Sequence, residues 1–326
     1  MTKDAVLAIL RKENDYISGE HISRLLGVSR AAVNTAVKAL RADGYEISSS
    51  TNKGYHLDAV PNSISAQELA AYLDEARMQT VECLASVDST NNRLRELALA
   101  GAPNGQVVLA NEQTQGKGRR GRAFASPQDN GIYLSILFHP DTLPTDIVEI
   151  TAWTAVATNN AIEEVCGVRA GIKWVNDLVI DRKKICGILT EMGLEKGRIR
   201  EVVIGDGINV NLEEFPDELK DKATSLYLET GKKYDRNRLI SLIMEKFERN
   251  YEKFTETCDL SPLIDDYNVM LANRNQPVRI LDKINPYEGI AIGIDREGEL
   301  LVKVADGEIR KVCSGEVSVR GLYSYV

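Results

Sequence analysis

At 326 residues the chain is long enough for two or three domains. With 43% hydrophobic and 27% charged residues it has the composition of a soluble globular protein. It shows no apolar run near the roughly 20 residues that span a bilayer, and no signal-peptide layout at its start, so a cytoplasmic protein is expected. The net charge of −8 argues against a protein that coats nucleic acid broadly, yet residues 1–60 hold 8 Lys+Arg against 7 Asp+Glu, leaving the deficit to the remainder.

Residues 4–12 read as a first helix, with Val6, Leu7, Ile9 and Leu10 apolar. Ser18 suits the cap of a short helix ending near Leu26, Gly27 the turn, and Ser29 the cap of a helix running to about Asp43. Val33, Val37 and Leu40 recur at spacings of four and three, one buried stripe, so the pair reads as a helix-turn-helix. Arg30, Asn34, Lys38 and Arg41 fall away from that stripe, where they suit phosphates and base edges. Tyr45–Ser50 and Gly54–Leu57 read as a hairpin wing whose tip residue Lys53 reaches a phosphate. The candidate DNA-binding set is therefore Ser29, Arg30, Asn34, Lys38 and Lys53. The competing reading is a helical protein-interaction module with a solvated basic face.

Pro61-Asn62-Ser63 marks a boundary, and Ser65-Ala66-Gln67-Glu68 matches a capping box. Strands are predicted at 81–87, 107–113, 132–138, 178–180, 185–191 and 202–211, and helices near 89–100, 146–166 and 237–257. Several strands succeed one another without a helix between them, which points to an α+β mixed sheet. From about 275, short apolar runs alternate with the turns Asp295-Arg296-Glu297-Gly298 and Asp306-Gly307, as in a small SH3-like β-barrel. Expected boundaries are 1–61, 62–273 and 274–326. The five cysteines are dispersed, without a CxxC pair, and read as buried reduced thiols; the three histidines offer neither metal spacing nor a catalytic triad.

Four segments carry candidate chemistry. Gln115-Gly116-Lys117-Gly118-Arg119-Arg120-Gly121-Arg122 interleaves four cations with three glycines. Such a loop suits a polyphosphate and an acid brought together against their repulsion, although charge runs are also commonly solvated or bound to nucleic acid. Lys173-Trp174-Val175-Asn176-Asp177 is followed by the strand that Lys184 opens; a lysine aimed inward there would stabilise negative charge on an acyl phosphate. The plainer alternative is a hairpin with Asp181-Arg182-Lys183 at its tip and Lys184 exposed. Asp88-Ser89-Thr90-Asn91 closes a strand and opens a helix, as caps or as a polar ligand contact. Gly205-Asp206-Gly207-Ile208-Asn209 places two glycines in a strand, a sign of close approach.

Taken together, DSTN at 88–91, GKGRRGR at 116–122, KWVND at 173–177, KICGIL from Lys184, GDGIN at 205–209 and SGEVSVRG at 314–321 resemble the bifunctional biotin protein ligases that double as biotin operon repressors. The resemblance covers essentially the whole chain. It implies a winged helix-turn-helix, a class II synthetase-like catalytic domain and the terminal barrel. The implied activity is biotin–[acetyl-CoA-carboxylase] ligation: biotin and ATP are substrates, with Mg2+, and a biotin carrier domain is the acceptor. Operator DNA and a ligand-promoted homodimer are the other implied partners.

By the same resemblance Lys184, Arg119 and Arg122 are the catalytic candidates. Ser89, Thr90, Asn91, Gln113, Gly116, Arg119, Arg120, Gly121, Lys184 and Gly187 would meet biotin. Gly118, Arg122, Phe124, Asn176, Asp177, Asn209 and Arg320 would meet the nucleotide, with Asp177 a candidate magnesium ligand. The chain departs from the family pattern at Lys117, which keeps charge but not a bidentate fork, at Val175 in place of proline, and at Phe124 in place of tryptophan. A biotin-adenylate sensor without transfer activity and a lipoate-type acyl ligase are the alternatives.

Overall fold

The structure, a computed structural model, describes residues 2–140, 147–196, 198–257, 259–281, 285–313 and 319–321. The chain forms two compact units, Met1–Ser63 and Ile64–Val326.

In the first unit α1 (Thr2–Lys12), α2 (Gly19–Leu26) and α3 (Arg30–Ala42) precede the antiparallel hairpin β1 (Glu46–Ser50) and β2 (Gly54–Ala59). Both expected caps form: Ser18 accepts from the His21 amide and Ser29 from the Ala32 amide, each at 3.1 Å. Gly27 ends α2 in the left-handed region, at φ 64°. Val33, Val37 and Leu40 are buried with Val6, Leu10, Ile22 and Ile47, so truncating Leu40 to alanine would cost about 2–5 kcal/mol. Arg41 is exposed on the side of α3 away from the stripe, and its Nε donates to the Ile47 carbonyl of the wing at 2.8 Å.

The second unit begins with two single-turn helices, α4 (Ala66–Leu69) and α5 (Glu75–Met78). It continues through β3 (Val81–Leu84), α6 (Thr90–Leu99), β4 (Val107–Ala110), β5 (Gly131–Phe138), α7 (Ile147–Cys166), β6 (Gly171–Lys173), β7 (Asp177–Ile180), β8 (Lys183–Glu195) and β9 (Arg198–Asn209). These strands make one mixed sheet, ordered β3-β4-β5-β9-β8-β7-β6. Only the β3–β4 pairing, bridged by α6, is parallel. The expected strand over 81–87 stops at Leu84, and β6 was not foreseen. Asp181 and Arg182 both take positive φ, 46° and 65°, at the β7–β8 turn, as a two-residue hairpin turn requires.

Strand alternation divides the sheet chemically. Ile132, Leu134, Ile136, Ile188, Val202, Ile204 and Ile208 join the main apolar core with α7 and with α9 (Arg236–Thr257), which follows α8 (Leu226–Thr230). The other face carries Tyr133, Ser135, Gly187, Leu189, Gly205 and Gly207, and lies open where the candidate site forms.

After α10 (Ile264–Met270), strands β10 (Gln276–Ile280), β11 (Tyr287–Ile294), β12 (Leu300–Lys303), β13 (Ile309–Val312) and β14 (Val319–Gly321) form an antiparallel sheet ordered β13-β12-β11-β10-β14. Both foreseen turns are present, with Gly298 at φ 74° and Gly307 at 91°. Among the described residues β13 and β14 do not pair, so the sheet is an open SH3-like arrangement and not a closed barrel. The thiols differ from expectation as well. Cys186 is buried, Cys83 and Cys166 are half-buried and Cys313 is exposed, while Cys258 lies outside the described residues. No described helix is long and apolar enough to cross a membrane.

Candidate active site and nucleic-acid interface

The open face of the sheet frames a narrow cleft lined by Thr90, Gln113, Lys117, Phe124, Gly187 and Gly207 among others. Its floor is bare backbone. Gly187 on β8 stands directly opposite Gly207 on β9, beside the pair Leu189–Gly205. A Cβ on Gly207 would lie 2.7 Å from the Phe124 ring, one on Gly187 would lie 2.5 Å from the Lys184 ammonium, and one on Gly205 would strike the Asn91 amide. The glycines thus admit close approach.

The polar head of the cleft comes from the start of α6. Ser89 occupies the N-cap position, but its side chain makes no capping bond; the capping alternative fails for it. Thr90 donates to Gln113 Oε1 through its amide at 2.9 Å and its hydroxyl at 3.0 Å. Gln113 in turn donates to Ser126 at 2.9 Å. Ser135 lies 2.8 Å from the Thr90 hydroxyl and 2.6 Å from Asn91 Oδ1, and the Asn91 amide donates to Glu191 at 2.9 Å. Thr90 and Asn91 are each 3% exposed, so their polar atoms are fixed by this network and not by solvent. Ser126, Ser135 and Glu191 escaped the sequence reading; single polar residues in apolar or loop segments gave no spacing signal.

The glycine-arginine segment folds back on itself. The Phe124 amide donates to the Gly116 carbonyl at 2.8 Å and the Gly118 amide to the Arg122 carbonyl at 2.7 Å. A 3-10 turn spans Arg119–Gly121, with Arg120 at φ 58° and Gly121 at φ 71°. This hairpin sorts the cations. Arg119 points inward, donating to Asn176 Oδ1 at 3.2 Å. Burial holds its guanidinium below the ordinary value, with Arg120 adding to that and Asp177 opposing it. Arg120 and Arg122 lie on the exposed side, and Lys117 reaches Asn92 Oδ1 at 2.5 Å. Phe124 turns into the cleft and lies against the floor glycines, 5.6 Å from its ring centre to the Lys184 ammonium.

The hairpin of the plainer alternative forms, with Asp181 and Arg182 at its tip, but Lys184 is half-buried and not exposed. A register shift in the β7–β8 pairing lies between Leu178 and Val179, and Val179 is the partner of Lys184. The Lys184 ammonium meets Asp177 Oδ1 at 2.6 Å, with side-chain exposures of 24% and 13%. Its backbone is tied on both sides: its amide donates to the Lys222 carbonyl at 2.8 Å and its carbonyl accepts from Thr224 at 2.9 Å. The Asn209 amide donates to the Thr224 carbonyl at 3.0 Å and to that of Lys184 at 3.4 Å. Asn176 is locked to β8 through Ile188, accepting its amide and donating to its carbonyl. The structure thus brings Lys184, Arg119, Asn176 and Asp177 together next to Gly187 and Phe124 of the cleft, whose lining includes Ser89, Thr90 and Gln113. It puts Arg122 and Arg120 outside it. Arg320 lies in β14, with its side chain outside the described residues.

A magnesium ion finds no protein cage here. Among the described residues no three His, Cys, Asp or Glu side chains group to hold a metal, and Asp177 is engaged by Lys184. Behind the floor, on the helix side, Asp206 is 2% exposed and accepts from Thr158 at 2.5 Å and from Cys186 Sγ at 2.9 Å. Burial pushes its carboxyl up to about 6.

In the first unit a surface concavity is lined by Arg30 and Asn34 of α3, Ser18 at the start of α2, and Thr51, Asn52 and Tyr55 of the wing. Lys38 is exposed on α3. Lys53 stands at the wing tip, its ammonium 5.9 Å from the Tyr16 ring centre. The Ser29 hydroxyl is used as a cap.

Comparison with known proteins finds matches along the whole chain. Residues 83–209 match the biotin/lipoate A/B protein ligase family, residues 2–56 an HTH domain and residues 275–320 the biotin protein ligase C-terminal domain. The chain is 38% identical over 324 residues to the bifunctional ligase/repressor BirA of Bacillus subtilis, covering 98% of each. It is 28% identical to that of Escherichia coli, covering 96% of each. Among solved structures, a biotin protein ligase from Aquifex aeolicus in complex with biotin and ATP is similar at a TM-score of 0.67 and 31% identity, over 74% of this chain and 98% of that one. The chain belongs to the biotin protein ligase family, in its bifunctional ligase/repressor branch.

Proposed function

We propose that this chain activates biotin with ATP, transfers it to a lysine of a carboxylase biotin carrier domain, and represses transcription in response to biotin. The observation that carries the reading is the cationic end of the cleft, where Lys184 and Arg119 converge on Asp177 and Asn176 beside a polar head. In the first step a biotin carboxylate oxygen bonds to the α-phosphorus of ATP and the α–β phosphoanhydride bond breaks, releasing pyrophosphate. In the second an acceptor amine attacks the acyl carbon, the carbon–oxygen bond to AMP breaks, and the amine gives up a proton.

Each step needs cations fixed where two anions meet. Lys184 is the best-placed single group, because Asp177 orients its ammonium in the absence of substrate. Arg119 adds a second charge at the same end. Ser89, Thr90 and Gln113 suit the ureido ring, and the bare floor of Gly187 and Gly207 lets Lys184 and Phe124 lie close against the sheet. Arg120 and Arg122, exposed on the loop, suit phosphates that arrive from outside. Magnesium enters with the nucleotide as part of that substrate, held by phosphate oxygens and water. Arg30, Asn34, Lys38 and Lys53 suit an operator half-site, and a homodimer promoted by ligand would present two of them at a helical-turn spacing. Needs for ATP and DNA suit the cytoplasm.

The test is pyrophosphate release from biotin, magnesium and ATP, with lipoate and no acid as controls, followed by mass analysis of an added carrier domain. Biotin-dependent release and a labelled lysine support the reading. Binding of biotin without release would leave a sensor, and a lipoate-specific signal would move the substrate. Sedimentation with and without ligand tests the dimer.

A further inference from the structure

We infer that Trp174 is a positioning residue through which the C-terminal sheet sets the nucleotide end of the active site; this rests on the ligase reading above. Trp174 is 5% exposed and is held at both ends by groups from the C-terminal side of the chain. Its indole N–H donates to the Gly298 carbonyl at 3.0 Å, and its amide donates to Asn273 Oδ1 at 3.0 Å. The acceptor at Gly298 is itself fixed. That glycine sits in the β11–β12 turn at φ 74°, and its amide donates to the Asp295 carbonyl at 3.1 Å. The neighbouring Arg296 carbonyl accepts from the Leu260 amide at 2.9 Å. The edge strand β6 is tied at the same place, where the Ala272 amide donates to Ile172 at 2.9 Å.

Two and three residues beyond Trp174 stand Asn176 and Asp177, the partners of Arg119 and Lys184. The indole anchors the chain on the β6 side of this pair, while Ile188 of β8 holds Asn176 from the other side. A buried tryptophan spends its single donor on one acceptor. Here that acceptor belongs to the C-terminal sheet, so a shift of the β11–β12 turn is transmitted to the cations over a few bonds of chain. The polar head of the cleft is built differently: Ser89, Thr90 and Gln113 lie on the start of α6 and the segment after β4, on the far side of β9 from β6 in the sheet order. Loss of the indole donor should thus separate nucleotide handling from biotin handling, which a general loss of packing would not do.

The experiment is Trp174→Phe in the full-length protein, read by calorimetric dissociation constants for ATP and for biotin and by the KM for ATP in pyrophosphate release. A second variant carries benzothienylalanine at position 174, which keeps the bicyclic ring and lacks the N–H, in case phenylalanine leaves too large a void. The expected result is a rise on the order of tenfold in the ATP constants, from one lost hydrogen bond and a carbonyl left bare, with biotin affinity within about twofold of wild type. Equal losses for both ligands, or a folded variant with wild-type ATP constants, would overturn the inference. A wild-type protein that releases no pyrophosphate with biotin would instead sink the ligase reading on which it rests.

Discussion

Asp206→Asn should stabilise the second unit at neutral pH and not at acid pH. The carboxyl is buried behind the cleft floor, and its hydrogen-bond donors among the described residues, Thr158 and Cys186, are uncharged side chains. It keeps its proton up to about 6 in the fold, against 3.8 as the ordinary value. A group that binds its proton more tightly when folded favours the fold below 3.8 and loses that advantage as pH rises. The loss runs from about 4 to about 6 and is complete above it. The difference amounts to roughly 3 kcal/mol at pH 7. Asparagine keeps one oxygen acceptor and cannot ionise, so the variant gains most of that figure, less the part of the hydrogen bonding that its amide cannot reproduce. For a unit of this size about 2 °C of melting temperature accompanies each kcal/mol, so a gain of about 2–6 °C is expected at pH 7.5, falling to about a third of that at pH 4.5 and to nearly nothing at about pH 3. Thermal melts of wild type and variant across that range supply the measurement, and the difference between them cancels every other titrating group. Parallel curves at all pH values would refute the argument, because they would mean that Asp206 carries no uncompensated charge in the fold.

Lys184→Gln removes the cation that Asp177 orients, and pyrophosphate release should fall about 10²–10³-fold; a fall of less than fivefold would assign the charge stabilisation elsewhere. Gly207→Ala sets a methyl 2.7 Å from the Phe124 ring. Overpacking of that kind costs about 1–3 kcal/mol of stability and displaces the Phe124 ring within the cleft, so biotin should bind more weakly in a fluorescence titration, and unchanged affinity would show that the floor is not used. Arg30→Ala, on the concave face of the first unit, should weaken operator binding and lower the salt-dependence slope by about 1. A slope identical to wild type would remove Arg30 from the phosphate contacts.

Local signals were legible in the sequence wherever one interaction decides the structure. Ser18, Gly27 and Ser29 do what cap and turn chemistry requires, and the stripe of Val33, Val37 and Leu40 is buried as its spacing demands. The glycines of 205–209 were rightly suspected of admitting close contact, though their neighbours, Asn91 and Phe124, come from far along the chain. What sequence could not decide was direction. Of four cations in one loop, only the positive φ values at Arg120 and Gly121 determine that Arg119 turns inward while Arg120 and Arg122 stay outside. Arg41 likewise lies on the expected side of α3, yet the nearby Ile47 carbonyl claims it. Arg236 gave no signal at all, although it is 1% exposed and donates to the Gly131 carbonyl at 2.7 Å. A lone arginine opening a helix looks like surface until long-range acceptors are in view.

The ion pair between Lys184 and Asp177 has an entropic consequence. A free lysine side chain carries about 2 kcal/mol of rotamer freedom, which a reaction would otherwise have to remove at the moment two anions are forced together. Here the backbone is tethered to residues 222 and 224 and the ammonium already rests on a carboxylate. That ordering is completed when the chain folds, so the same binding energy from substrate is left to align the reacting atoms.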